Sequence, residues 1–143
     1  MKNKQTHILL VEDNPLDVAN ILRAFKAQGI ENPVHVAGTG KDALSMLLGT
    51  GNTNALVPTP KIILLDLNLP GMGGLDFLKA LRQEESLKAC SVFVMTASDT
   101  TKDVVEAYDL NVAGYLVKPI QYESLLEMIS VLNSFWDLIE LPN

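Results

Sequence analysis

Four short runs that are apolar at every position, residues 8–11, 62–65, 92–95 and 115–117, alternate with longer segments whose apolar residues recur every three or four places. A weaker run covers 34–37. A run without polar interruptions reads as a strand buried on both faces. Strands that alternate with helical segments imply a parallel sheet with helices on either side. The first helix is the best signalled: Asn14 can cap it, Pro15 fits its first turn, and Asp17 lies near its positive end. It is expected to run to about Gln28 with Gly29 as its stop, burying Val18, Ile21, Leu22 and Phe25. Further helices are expected at about 41–48, 74–83, 100–110 and 123–138, giving βα five times. The turn-forming stretch 49–60, GTGNTNALVPTP, reads as an extended loop before the third strand.

In an open parallel sheet, ligands bind beyond the carboxyl ends of the strands. The exits of the four strong strands carry Glu12 and Asp13, Asp66, Thr96, and Lys118 with Pro119. Each has a bland reading as a cap, a turn residue or a solubilising charge. Their occurrence together at four exits is harder to explain that way. Three crowded carboxylates repel one another and call for a cation. A set of oxygen ligands without thiol or imidazole suits Mg²⁺. A carboxylate beside Mg²⁺ can attack phosphorus to give an acyl phosphate, and Lys118 and the Thr96 hydroxyl are placed as donors to its oxygens.

Composition narrows the class. At 143 residues, 48% apolar and 20% charged, the chain is expected to form one globular domain over 1–143, with a core at about 6–134 and a tail at 135–143. A net charge of −6 argues against nucleic acid and anionic lipid as partners. The one cysteine, Cys90, excludes an internal disulfide framework and fits a reducing, cytoplasmic setting. The opening apolar run is too short for a signal peptide or a membrane span.

ILLVEDN (8–14), IILLDLNLPGMGGLDFL (62–78), VFVMTAS (92–98) and GYLVKPI (114–120) resemble, in order, the signature blocks of two-component response-regulator receiver domains of the CheY-like superfamily. The resemblance implies a doubly wound, flavodoxin-like sheet in the order 2-1-3-4-5. It implies a signalling protein rather than an enzyme with its own substrate, taking a phosphoryl group from a sensor histidine kinase. Asp66 would be the acceptor, and Asp13, Glu12 through water, Asp66 and the backbone carbonyl of Asn68 would hold Mg²⁺. Lys118 would hold the phosphoryl group, Thr96 and Tyr115 would form a switch pair, and the Lys118–Pro119 peptide would be cis. The long loop at 49–60 and the ending FWDLIELP (135–142) further resemble single-domain regulators paired with phytochrome-type histidine kinases.

On the last helix, Leu125, Met128, Ile129, Leu132, Phe135 and Trp136 share one stripe, and Leu126 and Val131 flank it. The apolar arc widens to roughly 220°, beyond the roughly 100° that one-sided burial needs. This suggests a homodimer through the face of the fourth helix, fifth strand and fifth helix, using Leu126, Val131, Phe135 and Trp136, extended by Ile139 and Leu141. A helix tucked under its own tail is the alternative.

Other readings compete. A haloacid-dehalogenase-type phosphatase wants a second Asp two residues past the first, and Asn68 stands there, which cannot shuttle a proton. An unphosphorylated interaction module on the same fold would be expected to lack a site residue, and none is missing. Gly38-Thr-Gly40-Lys-Asp-Ala43 has the shape of a dinucleotide loop but lacks the acidic residue about 20 positions on. His7 and His35 fall in no motif and read as separate structural residues.

Overall fold

The computed structural model describes residues 6–97, 100–118 and 121–138. Five strands, β1 Ile8–Val11, β2 Val34–Ala37, β3 Ile62–Leu65, β4 Ser91–Thr96 and β5 Gly114–Val117, form one parallel sheet in the order 2-1-3-4-5. The helices are α1 Pro15–Ala27, α2 Gly40–Leu48, α3 Gly74–Gln83, α4 Thr101–Asp109 and α5 Tyr122–Leu138, with a 3₁₀ turn at Glu85–Leu87. All five strands and five helices of the sequence reading are present, with ends shifted by a residue or two. Asn14 Oδ1 accepts from the backbone N–H groups of Leu16 and Asp17, and Gly29 stands past the end of α1 at φ 72°, where a side chain would be strained.

Alternation along the strands builds two apolar layers. Leu9, Val11, Ile63, Leu65, Val92 and Val94 pack against α2, α3 and α4, whereas Ile8, Leu10, Ile62, Leu64, Phe93 and Met95 pack against α1 and α5. Burial on both faces holds for β1 and β3 throughout and for β4 past its first residue, but not for the edges. β2 and β5 are largely half-buried, and Val117 is exposed, because an edge strand has a neighbour on one side only. The inward face of α1 is also corrected: Leu22 points outward, and Ala24 takes the place in the core beside Ile21 and Phe25. The 49–60 loop folds back on α2, where Leu56 N–H donates to the Met46 carbonyl.

Two contacts at the far end of the sheet from the strand exits were not legible beforehand. His7 and His35 are not separate: Nδ1 of His7 lies 2.9 Å from Nε2 of His35, because the β1–β2 register pairs His35 with Leu9 and leaves His7, two residues earlier, as its diagonal neighbour. Arg82, in the last turn of α3, donates to the carbonyls of Leu110, Lys88 and Cys90 at 2.8 Å and of Asn111 at 2.9 Å. One planar fork thereby ties the loops that lead into β4 and β5. Among the described residues, no helix is long and apolar enough to cross a membrane.

Candidate functional site

Parallel pairing sets the strand ends level. Val11 pairs with Leu65, Leu65 with Val94, and Thr96 with Val117. One further rung on each side places the next residues together: Glu12 N–H donates to Ala37, Asp66 N–H to Val11 and Lys118 N–H to Thr96. Gly74 shapes the loop after β3. Its N–H donates to the Leu67 carbonyl, and a Cβ there would collide with Leu67 Cα and come within 2.6 Å of the Asp66 carbonyl oxygen. Only glycine lets α3 start so close to this loop.

The result is a depression of about 460 Å³ lined by Glu12, Asp13, Asp17, Asp66, Asn68 and Lys118. Glu12, Asp66 and Thr96 are buried, and Asp13 is exposed at the mouth. Carboxylate oxygens of Glu12, Asp13 and Asp66 lie within 4.8 Å of one another, so the three predicted to converge do so. Asp66 Oδ1 accepts from the Asn68 backbone N–H at 3.0 Å, and its carboxylate also accepts from the Thr96 hydroxyl. Asn68 Nδ2 in turn donates to Thr96 Oγ1 at 3.3 Å. Tyr115 is half-buried, packed against the layer under α4 on the strand next to Thr96.

Lys118 Nζ donates to three carboxylates: Asp17 Oδ2 at 2.7 Å, Glu12 Oε2 at 2.8 Å and Asp66 Oδ2 at 3.4 Å. Asp17 is the member that sequence reasoning missed, having been given only a helix-dipole role. The signal was available, since Asp17 lies one and two turns before Ile21 and Ala24 and so shares their inward face.

Charge states follow from these contacts. Burial pushes the Glu12 carboxyl up to about 7, against the pull of Lys118 and with added repulsion from Asp66. Burial would raise Asp66 as well, but the Asn68 N–H, the Thr96 hydroxyl and Lys118 outweigh it and hold Asp66 below the usual carboxylate range. Burial disfavours the Lys118 charge, yet Asp17 and Glu12 overcome this and hold the ammonium above its ordinary value. The site therefore presents an ionised Asp66 beside a fixed cation.

Residues 8–130 match the response regulator receiver domain family. The chain belongs to that family. Receiver domains are the phosphoacceptor modules of two-component signalling, so the level strand exits of this receiver are where that chemistry is sought. This receiver is 35% identical to the response regulator Rcp1 of Synechocystis over 136 residues, 94% of this chain and 92% of that protein. It is 36% identical to the probable methanogenesis regulatory protein FilR2 of Methanothrix harundinacea, covering 90% of this chain and 82% of that one. Among solved structures, the phosphorylated cyanobacterial phytochrome response regulator RcpA superposes with a TM-score of 0.88 at 31% identity, covering 97% of this receiver and 99% of RcpA. The Mn²⁺-bound form of Rcp1 superposes at 0.86 with 34% identity, covering 96% and 99%.

The predicted interface is corrected in part. Trp136 is fully buried, edge-on to Phe93, and belongs to the core. Its bulk fills the space between α5 and the sheet that the helical pattern alone could not measure. Leu126 is half-buried and packs against the layer that α1 and α5 share. Val131 and Phe135 are exposed as expected, together with Leu138. Pro119, Ile139 and Leu141 lie outside the described residues.

Proposed function

We propose that Asp66 is the phosphoacceptor. One of its carboxylate oxygens attacks the phosphorus of a phosphohistidine on a sensor histidine kinase, a P–O bond forms as the P–N bond breaks, and the imidazole leaves with the electron pair. The observation that carries this reading is the ionised Asp66 held between the Asn68 N–H, the Thr96 hydroxyl and Lys118. Glu12, Asp13 and Asp66, with the Asn68 carbonyl, form a hard-oxygen set that fits a divalent ion, and their mutual proximity is costly without one. Mg²⁺ bound there would offset charge on the transferring phosphoryl oxygens. Lys118 and Thr96 would hold those oxygens afterwards. Thr96, drawn to the new acceptor, would leave room into which the half-buried Tyr115 turns, changing the α4–β5–α5 face.

The likeness to Rcp1 and RcpA supports a phytochrome-type kinase as the donor. The receiver acts in the cytoplasm, a reducing setting that suits its buried, free Cys90. Val105 and Tyr108 of α4, Val117 of β5, and Val131, Phe135 and Leu138 of α5 are large exposed apolar residues, and they support a homodimer through that face.

Incubation with acetyl phosphate and Mg²⁺, followed by intact-mass and peptide mapping, tests the acceptor. The wild type should gain one labile phosphoryl group on Asp66, and Asp66→Asn none. A modified Asp66→Asn protein would refute the assignment.

A further inference from the structure

We propose that Asp17 is a positioning residue that competes with the phosphoryl group for the Lys118 ammonium, so that modification exchanges an Asp17–Lys118 ion pair for a phosphoryl–Lys118 pair. The inference rests on Asp66 being the acceptor. An ammonium has three donor positions. Here all three are taken, by Asp17 at 2.7 Å, Glu12 at 2.8 Å and Asp66 at 3.4 Å. The contact to the acceptor is the longest, so the ammonium is drawn toward α1 and away from where it is needed. A phosphoryl oxygen on Asp66 can gain Lys118 fully only if one of the two tighter partners gives way.

Asp17 is the partner that yields. Glu12 is buried, and its carboxylate belongs to the convergent trio with Asp13 and Asp66. Asp17 lies outside that trio, and a third of its side chain is exposed, so water can take over its charge at low cost. Nor is Asp17 needed to cap α1, because Asn14 Oδ1 already accepts the N–H groups of Leu16 and Asp17. Both members of the pair also line a second cavity, of about 320 Å³, with Asn20, Ile21 and Leu125. The exchange therefore requires no repacking of the core. It releases the first turn of α1 from the β5 exit, so α1 senses the state of Asp66.

Beryllofluoride, a noncovalent mimic of the phosphoryl group, allows the competition to be read as an equilibrium by calorimetric titration with Mg²⁺ present. Asp17→Asn should bind it about two- to fivefold more tightly than wild type, the scale of a partly exposed charge pair. Asp17→Glu should return to the wild-type affinity. The melting temperature of the ligand-free Asp17→Asn protein should fall even as its affinity rises, whereas a purely structural Asp17 would lower both. Equal or weaker binding by Asp17→Asn overturns the proposal. A wild type that acquires no phosphoryl group from acetyl phosphate would instead overturn the acceptor assignment beneath it.

Discussion

Lys118 and Arg82 are both cations that gather acceptors from distant parts of the chain, and they differ in what those acceptors are. Arg82 meets four neutral backbone carbonyls. Lys118 meets three carboxylates, two of which also belong to the trio suited to a divalent ion. The first arrangement is satisfied once and for all. The second is crowded with like charges, so its partners can be exchanged when another cation or anion arrives. A fixed joint and an exchangeable one thus occupy opposite ends of one sheet.

The comparison can be broken by substitution. Arg82→Ala should cost about 3 kcal/mol in urea unfolding, because four carbonyls and two loops lose their tie at once. Mg²⁺ should not restore it. Lys118→Met should cost about 2 kcal/mol with chelator present, since Glu12 and Asp66 are left facing each other without a counter-charge. Mg²⁺ in the millimolar range should recover most of that loss. Equal rescue of both variants would show that the two cations do not differ as argued.

A smaller effect separates the two ends by pH. Burial and the adjacent His7 hold His35 below its ordinary value of 6.5. The folded protein therefore binds fewer protons there than the unfolded chain. The stability contributed by neutral His35 is present above 6.5 and is lost as pH falls through its depressed folded value. His35→Gln should flatten the fall in melting temperature below pH 6.5, and an unchanged slope would discount the pair.

Much of this was legible in the sequence because of period and position. Buried strands such as Ile8–Val11 and Ile62–Leu65 announce themselves by lacking polar residues, and the residue after each such run must lie at a sheet edge. Glu12, Asp66, Thr96 and Lys118 could be placed together on that rule alone. What escaped depends on lateral packing. Leu22 and Ala24 differ in which best fits the gap beside the sheet, and no periodicity states the width of that gap. Trp136 read as an interface residue because apolar character is the same signal in a core and on a docking face. The His7–His35 contact required the β1–β2 register, and Arg82 required two loops whose carbonyls leave no mark in the side-chain pattern.

Gly74 sets a condition on any transplant of this chemistry. The backbone of the loop after β3 and the start of α3 share a space that a single methyl group would fill. An engineer who moves Asp66 and Asn68 onto another scaffold must carry this glycine with them, or the loop will open and the Asp66 carboxylate will drift from its donors.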